Sequence, residues 1–198
     1  MVANHPVDFS ADLTDERLRL LCLYCLDVVA DSIVDSSSIY DTKWTKGCLP
    51  YGRLQGLMSR LSINNELPWI NLANKTMDYT IRIGSTFVQF MIDDPYNPKK
   101  IHRLNSNSIE NTQSCFDFDQ ESNVMLWRIF IGIDKSDPQA EPTATLVGYD
   151  SNRNPICFWS YDEKIQIPMT VEDTRVVEIP EPLLARKQNR DDSVNETN

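Results

Sequence analysis

Val124-Met-Leu-Trp-Arg-Ile-Phe-Ile-Gly-Ile133, Thr143-Ala-Thr-Leu-Val-Gly-Tyr149 and Pro155-Ile-Cys-Phe-Trp-Ser-Tyr161 hold the densest aliphatic and aromatic content of the chain. Residues of this kind fit a pleated, half-buried surface, so the three runs read as successive strands and as the main core. Pro138 and Pro142 break the chain after the first run, and Asp150-Ser-Asn-Arg-Asn-Pro155 turns the second into the third. None of the three carries a recognisable catalytic motif.

Upstream, the apolar period changes. Thr14 is a good N-cap, with Asp15 and Glu16 behind it in the first turn, where carboxylates favour the positive end of a helix. Leu18, Leu21, Cys25 and Val28 then recur at helical spacing, and Leu20, Leu23, Leu26 and Ile33 widen the stripe, so a helix is predicted to about Val34. So broad an apolar surface suits a core helix or an oligomer contact. Residues 36–48 read as a polar connection. Pro50 suits a helix start, and Leu54, Leu57, Met58 and Leu61 continue the helix. After a turn at Ser62–Glu66, Trp69, Leu72, Ala73, Thr76 and Met77 predict a second amphipathic helix from Pro68 to about Tyr79. At Tyr79 the period falls to two, and Gly84-Ser85 joins two arms of a hairpin ending at Ile92.

These readings predict an α+β domain, with N-terminal helices packed on a mostly antiparallel sheet of about five strands. Residues 1–13 are expected to lack order. A helical part spans residues 14–78, a β-rich part spans 79–180, and 181–198 form a charged, disordered tail. Further strands are expected near Ser114–Phe118, Ile165–Pro168 and Thr174–Ile179.

The 198 residues, 41 % hydrophobic and 24 % charged, are enough for one ordinary core. No run reaches the length of a membrane span, and the first residues lack the basic and apolar regions of a signal peptide. Five cysteines, an odd number in apolar surroundings, do not make a disulfide framework. A cytoplasmic, intracellular protein away from the membrane is expected, in which the sequons at Asn74 and Asn195 would carry no sugar.

The net charge is −10, yet it is unevenly spread. From Lys43 to Arg103, nine basic side chains face only Glu66, Asp78, Asp93 and Asp94. That asymmetry suggests a face for a polyanion on an acidic body. Helix, turn, helix and hairpin between Leu49 and Ile92 is also the element order of a winged helix-turn-helix. On that reading Arg53 and Arg60 share one face of the first helix. Asn71, Asn74 and Lys75 line the second, and Arg82, Lys99, Lys100 and Arg103 grip flanking phosphates of duplex DNA. The competing expectation is a protein-interaction or assembly module. It would use the broad Leu18–Val34 helix, or an edge strand near Thr174, to bind a partner or a second copy.

No catalytic residue, metal site or cofactor is assigned. Cys22-Leu-Tyr-Cys25 falls mid-helix among leucines and lacks further zinc ligands at compatible spacing. Asp162-Glu163-Lys164 and Asp150 supply the letters of a metal-dependent nuclease. However, they sit at opposite ends of one strand, about 20 Å apart at about 3.3 Å per residue. Asp117-Phe-Asp119-Gln-Glu121 alternates like a calcium loop, but Ser122 and Arg128 stand where glycine and glutamate are required. Hydrolase and phosphate-loop motifs are missing. The expected class is a non-enzymatic binding protein.

Overall fold

The computed structural model describes residues 5–114, 126–134, 137 and 140–161. Within these residues, two long helices, α1 (Asp15–Asp35) and α2 (Lys43–Asn64), precede a six-stranded sheet. Its strands are β1 (Ile70–Asn74), β2 (Thr80–Ile83), β3 (Thr86–Ile92), β4 (Leu126–Gly132), β5 (Thr143–Tyr149) and β6 (Pro155–Ser160). They lie side by side in sequence order. Every neighbouring pair is antiparallel except β3 and β4, which run parallel with Gln89 opposite Arg128. A parallel pair needs a long crossover. Here it includes a short helix, α3 (Ser108–Ser114). The α+β class is thus as expected. The additional strand is β1.

Alternation along the strands divides the sheet into two faces. Ile81, Ile83, Val88, Phe90, Ile129, Ile131 and Leu146 face one core, together with Leu18, Leu21, Cys22, Cys25 and Val29 of α1 and Leu54, Leu57, Met58 and Leu61 of α2. Met91, Phe130, Val147 and Tyr149 form a smaller cluster with Leu104 on the other face. Thr14 caps α1 as expected, its hydroxyl accepting from the Arg17 backbone N–H at 3.4 Å.

Four expectations are corrected. Residues 5–13 are ordered: Pro6–Asp8 form a 3-10 turn capped by His5, Phe9 packs on Trp127, and Leu13 is buried. The second helix starts at Lys43 rather than Pro50, because Thr42 supplies its cap. Pro50 therefore lies inside the helix, where its missing N–H removes one backbone bond. The predicted helix over Pro68–Tyr79 is a strand. Ile70 is buried while Asn71 and Ala73 are exposed, and the Leu72 N–H bonds the Ser62 hydroxyl. Asn74 ends the strand by accepting from both the backbone N–H and the hydroxyl of Thr76. Finally, residues 108–114, read as part of a polar connection, form α3. The strands expected at Ile165–Pro168 and Thr174–Ile179, most of the one near Ser114–Phe118, and the tail lie outside the described residues.

The hairpin turn at Gly84-Ser85 is present, and Gly84 has φ +56°, a conformation glycine adopts without strain. The Asp12 carboxylate accepts from both the backbone N–H and the hydroxyl of Ser85 at 2.8 Å and from Arg17 at 2.9 Å. These bonds, the Ser85 N–H first among them, hold the Asp12 carboxyl below its ordinary range. The ordered N-terminus is thereby tied to the sheet. A side chain at position 84 would run into that carboxylate.

Candidate partner-binding surface

The basic residues singled out in the sequence do not assemble into one surface. Arg53 pairs with Asp35 at 2.7 Å, Arg60 reaches Glu66 at 3.9 Å, and Arg103 pairs with Asp78 while donating to the Tyr51 hydroxyl. Arg82 lies opposite Asn71 on β2 and β1. Their neighbours Ile81, Ile83 and Ile70 point into the core under the helices, so Arg82 and Asn71 point to the other face of the sheet. Arg53 and Arg60, on α2, are therefore on the opposite side from them. Asn74 and Lys75 sit at the end of β1, and the loop carrying Lys99 and Lys100 wraps the Asp93 carboxylate, which accepts from both backbone N–H groups. With a strand where the second helix was expected, residues 49–92 are not a helix-turn-helix. Asn71, Asn74 and Lys75 cannot line a recognition helix.

Other candidates resolve into structural roles. Cys22 and Cys25 are buried beneath α1, and burial pushes the Cys22 thiol up to about 12 and Cys25 well above its usual range. Thiols held protonated in this way are poor nucleophiles and poor metal ligands. Asp150 closes the β5–β6 turn, accepting from the backbone N–H groups of Asn152 and Asn154. The Asp162–Lys164 and Asp117–Glu121 segments lie outside the described residues. Among the described residues, no three His, Cys, Asp or Glu side chains converge as a metal site, and no helix is long and apolar enough to cross a membrane.

Arg128 is a signal that the sequence carried openly: a charge in the middle of an apolar strand. It is fully buried on β4, opposite Gln89. Its guanidinium forks onto Glu110 at 2.5 and 3.1 Å and donates to the carbonyls of Arg103, Trp127 and Asn105. Gln89 and the Asn107 backbone N–H also donate to Glu110. With its charge and donors matched inside the fold, this network fastens the crossover to the sheet.

Among the described residues, the core leaves the tip of the helical hairpin uncovered. The Arg53–Asp35 pair sets the middle of α2 level with the end of α1. About ten residues of α2, or ~15 Å at 1.5 Å per residue, therefore overhang α1. Tyr51 is held at the root of this overhang, its hydroxyl donating to the Met77 carbonyl at 2.7 Å. Further out, Lys43, Trp44, Lys46, Gly47 and Cys48 are exposed. Val34 is 71 %, Ile39 91 %, Tyr40 85 % and Trp44 75 % exposed. These exposed apolar side chains, all within residues 34–44, make the tip the candidate interaction surface. Sequence reading missed this site because side chains that contact no core leave no period in the sequence.

Fold and site thus define a helical hairpin on a mixed sheet, with an apolar tip beyond the core. Comparison with protein-family models, with curated proteins and with solved structures finds no match.

Proposed function

We propose that the chain is a non-enzymatic binding protein that docks a protein partner through the tip of its α1–α2 hairpin. The observation that carries this reading is the exposure of Val34 at the end of α1, Ile39 and Tyr40 in the connection, and Trp44 in the first turn of α2. Trp44 and Tyr40 together offer ~300–400 Å² of aromatic surface at small entropic cost. Aromatic anchors of this kind dominate the energetics of protein interfaces. The aliphatic Val34 and Ile39 favour a protein over a nucleic acid, whose phosphates would leave them uncompensated. Lys43 and Lys46 beside them favour an acidic rim around the partner's apolar pocket.

The test is a photo-crosslinking residue, p-benzoylphenylalanine, placed at position 44 of the full chain and, as a control, at exposed position 152. A single defined protein crosslinked from position 44 alone, and lost with Ile39→Ser and Tyr40→Ser, is expected. The same adducts from both positions would refute the reading. So would retention on duplex DNA at 150 mM salt that Lys75→Glu and Arg82→Glu abolish, since that would restore the nucleic-acid alternative.

A further inference from the structure

The side of the helical layer turned away from the sheet has an order that the packing of the described residues does not use. Along α1, Glu16, Leu20, Leu23, Asp27, Ala30 and Val34 recur at alternating intervals of four and three residues. This is the spacing of a seam between paired helices. All but half-buried Ala30 are exposed, so the seam has no partner helix among the described residues. Along α2 the same spacing picks out Thr45, Leu49, Gly52, Gly56, Ser59 and exposed Ile63. A Cβ at Gly52 or Gly56 would meet nothing within 4 Å. Glycine weakens a helix interior, and among the described residues no other element approaches closely enough to need either of these.

Charge is sorted between the two ridges. Helix α2 carries Lys43, Lys46, Arg53 and Arg60 and no acidic residue, whereas exposed α1 positions carry Asp27, Asp31 and Asp35. Two stripes of opposite sign, side by side, are their own complement under a two-fold axis parallel to them. The other face-to-face pairing, α1 on α1, would oppose aspartates to aspartates. A groove of about 270 Å³ is lined by Val28 and Asp31 of α1 and by Arg53, Gly56, Leu57 and Arg60 of α2.

We infer that this face binds a second copy of the chain, α1 of each lying antiparallel on α2 of the other in a four-helix layer. An axis parallel to the helices preserves height, and the Arg53–Asp35 pair fixes which residues are level. Val34 then sits over Gly52 and Gly56 of the second copy, Leu23 beside its Ile63, and Asp27 and Asp31 near its Arg60 and Arg53. A face ~31 Å long and two helices wide gives ~1,200 Å² in total, at the lower edge of specific interfaces, so a reversible dimer is expected. Of the tip residues, Val34 alone takes part in this interface, and Ile39, Tyr40 and Trp44 have no role in it.

Sedimentation equilibrium on the full chain from 1 to 200 µM in 50 mM salt reads the outcome. Wild type is expected to approach twice the 22.8 kDa chain mass with rising concentration. Asp27→Lys/Asp31→Lys and Arg53→Glu/Arg60→Glu should each raise the dissociation constant by roughly tenfold or more, and mixing the two variants should restore a dimer. Gly56→Leu fills open space in the monomer, so it should keep the fold by circular dichroism and abolish the dimer. A wild type that stays monomeric across this range overturns the inference. A dimer indifferent to Gly56→Leu, or a charge-variant mixture that stays monomeric, overturns it as well.

Discussion

Removing Glu110 tests the buried network most directly. Glu110→Gln keeps the shape of the side chain but leaves the Arg128 guanidinium, fully buried, without its counter-charge. Breaking one partner of a buried pair costs ~3–5 kcal/mol, because the remaining ion has lost solvent without compensation. The backbone carbonyls of Arg103, Trp127 and Asn105 still accept from Arg128, which argues for the lower half of that range. With an m-value of ~2 kcal/mol/M in urea, a loss of ~3 kcal/mol moves the unfolding midpoint down by ~1.5 M. Against a total stability of ~5–15 kcal/mol, the variant stays folded but marginal. The double variant Glu110→Leu/Arg128→Met removes both charges. Replacing a buried pair by apolar groups is often close to neutral, so it should be more stable than either single change. Urea titrations followed by far-UV circular dichroism, completed as a double-mutant cycle, give the coupling. Single variants costing under ~1 kcal/mol, or strictly additive effects, would refute the claim that the pair is dry and mutually dependent.

Four further outcomes are expected. The buried Tyr79 hydroxyl has no hydrogen-bond partner among the described residues, so Tyr79→Phe should be neutral or stabilise by ~1 kcal/mol in the same titration; a loss above ~1 kcal/mol would contradict it. Gly84→Ala should destabilise by ~1–3 kcal/mol, through both its positive φ and the Asp12 carboxylate in the path of the new methyl, and a midpoint equal to wild type would count against that turn. Because the folded state holds Asp12 below its unfolded value near 3.8, its contribution is present above pH 3.8 and fades as pH falls through the folded value; Asp12→Asn should flatten the acid limb of stability against pH, and an unchanged limb would exclude the clamp. Trp44→Phe should change stability by less than ~0.5 kcal/mol while removing the tryptophan emission most readily quenched by acrylamide, whereas equal quenching before and after would mean the tip is covered.

The fold was legible where burial leaves a period. Thr14 and the stripe from Leu18 to Val28 announce α1, and the switch from 3.6 to 2 at Tyr79, closed by Gly84-Ser85, announces β2 and β3. The three aromatic-rich runs fall on β4, β5 and β6 within two residues at either end. β1 was misread because Trp69, Leu72, Ala73 and Thr76 imitate a helical face. The alternation of Ile70 and Leu72 is too short to outweigh that pattern until β2 is there to pair with it. The start of α2 escaped for the opposite reason: its first two turns pack against little, and only the Thr42 cap marks them. Charge counting also misled. It saw that basic residues crowd the second quarter of the chain, but not that a pleated strand would send Arg82 to one side and a helix would keep Arg53 on the other.

The parallel seam between β3 and β4 has a consequence for how the molecule assembles. Each three-stranded half is a meander whose neighbours follow closely in sequence, so its pairings can form from local encounters. Uniting the halves requires closing the long excursion between Ile92 and Leu126, and until then both β3 and β4 are open edges rich in aliphatic residues. That step should be the slow one, and it is where a nascent chain is most exposed to joining the wrong molecule.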